Sequence, residues 1–345
     1  TTKNFNLKTY NTNRSYIYNE LTDLYSDNKK TFVVNDLQSL YIGKTYVKQF
    51  NEGKFENRDS LEKGYIPVGF GDSNGDGIPE VLTSAEFNTI LYQSDVKNGN
   101  PFRTELFKNV PGTSLWGEQM FDIDKDGKDE IIGYRYEVNE KGYSVYKYSG
   151  DKYVEIARTQ LPENLINISI ERSSALEDLD GDGKYELCFV NTRGNILIYE
   201  FTGNDLVPEY IDSTDVGYGN QYMTKADVDG DGIYEVIHGC YGSNQVVSED
   251  GSWEQLWRFR MIKSSAPNTY STVWNENFYP VRSGSTRQGV FYRNGLTSGN
   301  LDNNKGDEIV ISTFPNLYIF RWNESKSSFE NFWYYPSTLT NSALI

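Results

Sequence analysis

One nine-residue pattern recurs along this 345-residue chain and constrains its fold more than any other feature. Its fullest form is Asp178-Leu179-Asp180-Gly181-Asp182-Gly183-Lys184-Tyr185-Glu186. The same arrangement runs from Asp72 to Glu80, from Asp122 to Glu130 and from Asp227 to Glu235. Oxygen-bearing side chains stand at positions 1, 3, 5 and 9, with glycine at position 6. Alternate side chains of this kind converge on one point only if the backbone curls tightly, and glycine permits the positive φ that such a curl needs. Carboxylates forced together repel unless a hard cation neutralises them, and calcium accepts many oxygens in an irregular shell. The pattern therefore predicts Ca²⁺ loops.

The formal charge is −16, and the four loops alone place fifteen carboxylates at ligand positions. Much of the acidity is thus local chemistry. It argues against a nucleic-acid partner, whose phosphates would be repelled. No apolar run approaches the roughly 18 residues of a membrane-spanning helix. The two cysteines, Cys188 and Cys240, fall at different offsets after successive loops and read as buried thiols rather than a pair or a metal site. The chain starts at Thr1 without a signal peptide, as a processed chain would. Weak calcium loops work where the ion is abundant, so the expected location is extracellular or cell-surface, with the periplasm as an alternative.

The loops begin at 72, 122, 178 and 227, spaced by 50, 56 and 49 residues. A fifth copy starts at Asn300, with Asp302, Asn304 and Glu308 in place, Gly306 at position 7 and Lys305 where glycine belongs. An upstream relic runs from Asp23 to Thr31, with Tyr25 at position 3, and is expected to hold no ion. Each loop leads directly into a short apolar run, such as Leu187-Cys188-Phe189-Val190. Further runs follow, separated by turn residues such as Thr202-Gly203-Asn204-Asp205. Fifteen per cent aromatics, 27 tyrosines among them, favour strands over helices. Four short strands per unit of about 50 residues mark a β-propeller blade. The fold class is all-β, in a single domain over 1–345.

An EF-hand shares the Asp-x-Asp-x-Asp-Gly spacing but requires a carboxylate at position 12 and flanking helices. Position 12 is Thr83, Gly133, Phe189 or His238, and the exits are strand-like. The EF-hand reading fails.

These loops and their spacing resemble the FG-GAP or VCBS-type repeats of integrin-α-like calcium propellers, at the level of the repeat over nearly the whole chain. The resemblance implies a loop between the innermost and second strands of each blade, on one face of the propeller. It implies ligation by side chains at positions 1, 3, 5 and 9 and the carbonyl at 7. The first site would use Asp72, Asn74, Asp76, Ile78 and Glu80, and the second Asp122, Asp124, Asp126, Lys128 and Glu130. The third would use Asp178, Asp180, Asp182, Lys184 and Glu186, and the fourth Asp227, Asp229, Asp231, Ile233 and Glu235. About four Ca²⁺ ions result. A fifth would need Asn300, Asp302, Asn304, Gly306 and Glu308, where Lys305 breaks the pattern. Seven blades are usual in such propellers. Ser342-Ala343-Leu344-Ile345 reads like the strand that precedes a loop, and Asn4 to Tyr10 like a ring-closing outer strand. Six blades is the alternative.

The interval from the fourth loop to the fifth is 73 residues, and the excess suggests an insertion over about 262–288. Trp274, Phe278, Tyr279, Arg282 and Arg287 fall there, and Trp116 lies in another connection. Aromatics with arginines are what recognition surfaces use, so these residues are the expected ligand surface, opposite the calcium loops. The competing reading packs them into their own blade. The only histidine, His238, sits on a strand and reads as a packed residue. No nucleophile elbow, phosphate loop or zinc motif is present. The expectation is a non-catalytic binding, adhesion or assembly module for protein or glycan partners, self-assembly included. The alternatives are a lectin, a polysaccharide-active lyase or hydrolase, and a structural subunit of a surface layer or filament.

Overall fold

The computed structural model of the chain describes residues 15–22, 24, 25, 29, 31–37, 43–85, 88–95, 100–108, 114–136, 141–166, 168, 170–212, 219–247, 253–278, 296–313 and 316–336. They form two compact units, Thr1–Arg158 and Thr159–Ile345. No α-helix occurs among the described residues, and none there is long and apolar enough to cross a membrane.

The first unit holds β1 (Ser15–Thr22), β2 (Thr31–Leu37), β3 (Gly43–Asn51), β4 (Lys54–Gly64), β5 (Ile66–Gly71), β6 (Glu80–Ala85), β7 (Asn88–Asp95), β8 (Asn100–Lys108), β9 (Leu115–Phe121), β10 (Glu130–Arg135), β11 (Gly142–Ser149) and β12 (Lys152–Arg158). They make three four-stranded antiparallel sheets, β1 to β4, β5 to β8 and β9 to β12, each in chain order. The first strands are neighbours, β1 beside β5 and β5 beside β9. Leu24 of the β1–β2 connection and Val33 and Val47 of the first sheet pack with Phe70, Val81, Ile90 and Tyr92 of the second. Leu82 and Leu91 of the second pack with Met120 and Ile131 of the third. Inner strands approach closely at Gly69, where a Cβ would stand 3.0 Å from the Met120 nitrogen.

The second unit repeats this plan with β13 (Ile170–Glu177), β14 (Glu186–Asn191), β15 (Ile196–Phe201), β16 (Leu206–Ile211), β17 (Gly219–Ala226), β18 (Glu235–Val247), β19 (Trp253–Ala266), β20 (Thr269–Phe278), β21 (Leu296–Gly299), β22 (Glu308–Thr313), β23 (Asn316–Asn323) and β24 (Ser328–Pro336). The sheets are β13 to β16, β17 to β20 and β21 to β24, and β17 lies beside both β13 and β21. Their faces meet through Cys188, Ile198, Met223 and Val236, and then through Ile237, Phe259, Met261 and Ile309. Burying a side chain of this size contributes about 1.5–3 kcal/mol. Cys188 and Cys240 are both buried thiols.

Burial falls from the second strand outward. Every residue of β6, β10 and β14 is buried; for β6, the sheets before and after it in the first unit cover both faces. The outermost β16 is mostly exposed and tolerates Pro208, whose missing N–H is harmless at an edge.

Two expectations are corrected here. The part of the supposed insertion from Ile262 to Phe278 is the end of β19 and the whole of β20, ordinary third and fourth strands made long. Trp274 is therefore core: it is 9% exposed and meets Phe329 edge-on, with ring centroids 4.9 Å apart. Trp116, 6% exposed on β9, is likewise buried. Residues 4–10 and 342–345, on which ring closure and the seventh blade depended, lie outside the described residues.

Candidate metal centres

Each acidic loop joins the first strand of a sheet to the second: β5 to β6, β9 to β10, β13 to β14, β17 to β18 and β21 to β22. Position 12 of each of the four full loops lies inside the strand that follows, so no helix leaves them.

The backbone of every loop is folded around its own acids. In the four full loops the position-1 carboxylate accepts the N–H of position 6, as from Gly77 to Asp72 Oδ2 at 2.7 Å and from Gly183 to Asp178 Oδ2 at 3.0 Å. Position 3 accepts from position 5, as from Asp182 to Asp180 Oδ1 at 3.1 Å. Position 5 accepts from position 7, as at Ile78, Lys128, Lys184 and Ile233. Two consecutive curls require positive φ at positions 4 and 6. Lys125 accepts this at 61° where the other full loops use glycine. In the fifth loop Asn303 keeps the first, and the second moves on to Gly306, which answers Lys305 at position 6.

Position 9 opens the second strand, and its carboxyl group is buried. Glu80, Glu130, Glu186, Glu235 and Glu308 are at most 1% exposed. One oxygen of each, Oε2, accepts the N–H of position 2: Ser73 at 2.8 Å, Ile123 at 3.1 Å, Leu179 at 2.6 Å, Val228 at 3.0 Å and Leu301 at 2.9 Å. This bond pins the loop, so the position-9 glutamate closes the curl whatever else it binds.

The other oxygen, Oε1, distinguishes the loops. Asn74 Nδ2 donates to it in Glu80 at 3.0 Å. Lys147 Nζ lies 3.3 Å from it in Glu130, 2.7 Å from Asp126 Oδ2, and also bonds Asp124. Lys263 Nζ donates to it in Glu235 at 2.6 Å, and to Asp229 and Asp231 at 2.6 and 3.0 Å. Arg321 Nε donates to it in Glu308 at 3.0 Å, while its Nη2 holds Asp302. Neither Glu130 nor Glu186 receives a hydrogen bond at this oxygen, but Glu130 keeps its Lys147 ion pair at 3.3 Å, whereas Glu186 has no cation there. Lys184, half exposed, pairs with Glu200 and Asp182 instead.

A buried carboxylate oxygen without a donor is what a missing cation would leave, so the loop at 178 fits a hard divalent ion. Oxygens of Asp178, Asp180 and Glu186 lie within 4.8 Å of one another, as do those of Asp182, Glu186 and Glu200. Comparable groups occur at Asp72, Asp76 and Glu80, at Asp122, Asp124 and Glu130, and at Asp227, Asp229 and Glu235.

Burial, followed by the charges of Asp180, Glu209 and Asp178, pushes the Glu186 carboxyl up to about 9 despite its bond from Leu179. Burial likewise raises Glu80 and Glu130 to about 7. Burial opposes the charge on Lys147 and Lys263, but their carboxylate partners outweigh it and both are raised.

The expected recognition residues divide. Trp116 and Trp274 are buried, as above, and Phe278 ends β20. Tyr279, Arg282 and Arg287 lie outside the described residues. His238 is fully buried on β18, as a packed residue should be. Its Nδ1 accepts from Arg260, whose Nη2 stands 3.1 Å away, and its Nε2 faces Gln221 Oε1 at 2.8 Å. Arg260 also holds Asp212 and donates to the Gly194 carbonyl at 2.5 Å. The sequence does not reveal this buried network, because its members lie up to 66 residues apart.

Fold and loops together describe a protein built of repeated four-stranded blades with acidic hairpin loops. A family model of the FG-GAP-like repeat matches residues 178–238. No curated protein sequence matches the chain significantly. Among solved structures, a protein from Lactobacillus plantarum is 8% identical, with 91% of this chain and 82% of the other covered and a TM-score of 0.51. The periplasmic gluconolactonase of Pseudomonas aeruginosa is 10% identical, with 89% and 82% covered and a TM-score of 0.54. An exotype rhamnogalacturonan lyase is 13% identical, with 86% and 74% covered and a TM-score of 0.37. The likeness to the first two is one of fold. It corrects the expectation that the chain is not an enzyme: the gluconolactonase shows that this fold carries catalysis, so a non-catalytic role does not follow from the architecture.

Proposed function

We propose that this chain is a calcium-binding β-propeller protein of the integrin-α-like kind. It works outside the cytoplasm as a binding, adhesion or assembly module for protein or glycan partners. The observation that carries the calcium reading is the buried, partnerless Oε1 of Glu186 among the oxygens of Asp178, Asp180 and Glu200. Calcium suits an all-oxygen shell of this kind, and softer metals prefer nitrogen or sulfur. When bound, the ion supplies the charge that lets these acids remain ionised together. Asp178, Asp180, Asp182 and Glu186 would hold it, with Glu200 as an additional acid from the third strand.

Partner binding is supported by a row of aromatics on the outermost strand, β24. Phe332, Trp333 and Tyr334 are 49%, 44% and 58% exposed, and the Arg321 guanidinium stacks 4.0 Å from the Phe332 ring centroid. Exposed aromatics beside an arginine suit either a sugar ring or a protein surface.

Thermal melts with and without chelator test the calcium reading. An ion bound only to the folded state stabilises it by RT ln(1 + [L]/Kd), about 2.7 kcal/mol at a hundredfold excess over Kd. EDTA should lower the melting temperature by several degrees and calcium should restore it. Identical melts reject calcium. A glycan array and a pull-down with Trp333→Ala as control test the partner surface.

A further inference from the structure

The five loops share one further position. In each sheet the third strand sets one residue opposite the position-9 glutamate. The register pairs Glu186 with Glu200 directly. The same register, counted from Ile131 with Tyr146 and from Val236 with Ile262, sets Lys147 opposite Glu130 and Lys263 opposite Glu235. Counted from Val81 with Tyr92 and from Ile309 with Phe320, it sets Gln93 opposite Glu80 and Arg321 opposite Glu308.

We propose that this facing residue decides which loops take a divalent ion. The loop at 178, facing Glu200, binds one, whereas the loops at 122, 227 and 300 are closed by a cation of the chain itself. The proposal rests on the calcium reading above and narrows it.

Lys263 engages three of the carboxylates its loop would offer an ion, Asp229, Asp231 and Glu235. Lys147 engages the equivalent Asp124, Asp126 and Glu130. An ion entering either loop must therefore break three ion pairs. A side chain held in place by its own strand competes at an effective concentration of order millimolar. Loops of this extracellular type bind calcium with dissociation constants of only about 10⁻⁴–10⁻³ M, so the loss of three ion pairs weighs heavily against so weak a site. Arg321 does the same with Asp302 and Glu308.

At 178 the charge is reversed. Glu200 adds an acid to Asp178, Asp180, Asp182 and Glu186, and no donor reaches Glu186 Oε1. The cation nearby, the half-exposed Lys184, belongs to the loop and pairs with Glu200 and Asp182 while leaving Asp178, Asp180 and Glu186 to an ion. Gln93 is neutral and approaches only Asp76, at 3.5 Å. The loop at 72 is therefore the other loop with no cation of its own on the facing strand.

Equilibrium dialysis of the full chain against calcium at about 1–10 mM, a range bracketing extracellular loop affinities, tests this. The native chain should bind no more than two ions, and Asp180→Ala should remove one. Lys147→Gln and Lys263→Gln should each add one ion. Glu200→Lys, which installs the closing cation at 178, should remove one without a change in far-ultraviolet circular dichroism. Four ions in the native chain, with no gain in either lysine variant, would overturn the closing role of the lysines and leave the calcium reading standing. No ion in the native chain would reject both.

Discussion

Asp72 and Asp129 hold each other across the gap between two sheets. The Asp72 N–H donates to Asp129 Oδ2 at 2.7 Å, and the Asp129 N–H donates to the Asp72 carbonyl at 3.1 Å. Asp227 and Asp307 repeat the clasp in the second unit at 3.1 and 2.8 Å. In both pairs position 8 of one loop grips position 1 of the loop before it, which sets the two loops side by side. Gly71 makes room for the first clasp, since a Cβ there would stand 2.7–2.8 Å from the Asp129 carboxyl group.

Asp129→Ala strips the acceptor from a part-buried N–H, which costs about 1–3 kcal/mol. The denaturation midpoint should fall accordingly with the slope of the transition unchanged. Asp129→Asn keeps an acceptor and should recover most of the loss. Equal losses in both variants would show that the carboxylate charge, rather than the hydrogen bond, matters.

Glu186→Gln should act in opposite directions with and without calcium. The carboxyl group stands at about 9 in the ion-free fold against an ordinary 4.5. Its folded pKa is raised, so the stability linked to it is fully present below about 4.5 and is lost as pH rises towards 9. The slope is at most about 1.4 kcal/mol per pH unit. A neutral glutamine escapes this penalty but is a poorer ligand. In EDTA at pH 8 the variant should melt no lower than the native chain, and in calcium it should melt lower. A variant that melts lower in both conditions to the same extent would argue that Glu186 serves only to pin the loop.

His238 should make the protein acid-sensitive. Burial, then the Arg260 charge, holds it well below the ordinary 6.5, so it is neutral when folded. The folded pKa is depressed and the unfolded state binds the proton more readily. The linked stability is complete above about pH 6.5 and falls by up to about 1.4 kcal/mol per unit below it. As this is the only histidine, the stability difference between the native chain and His238→Gln should narrow between pH 7.5 and 5.5. Parallel curves over that range would show that the ring does not titrate there.

The acidic loops were legible in the sequence because everything that shapes them is local. Acids at alternate positions, glycine in the curl and a glutamate opening the next strand lie within nine residues, and four strands per repeat follow from turn residues between apolar runs. The recognition surface was misjudged for Trp116 and Trp274, because an aromatic on a strand shows its face only once the neighbouring sheet is in place.

The chain by itself thus determined where the acids gather and that strands radiate from them. It did not determine what balances those acids. Gln93, Lys147, Glu200, Lys263 and Arg321 lie between 13 and 28 residues beyond the glutamates they face, at irregular spacings. Hairpins of different lengths bring them to one place, and hydrogen-bond register rather than sequence distance makes them equivalent. Charge balance acts through space over a few ångströms, so tertiary structure alone decides whether an acidic loop faces a lysine of its own or awaits an ion.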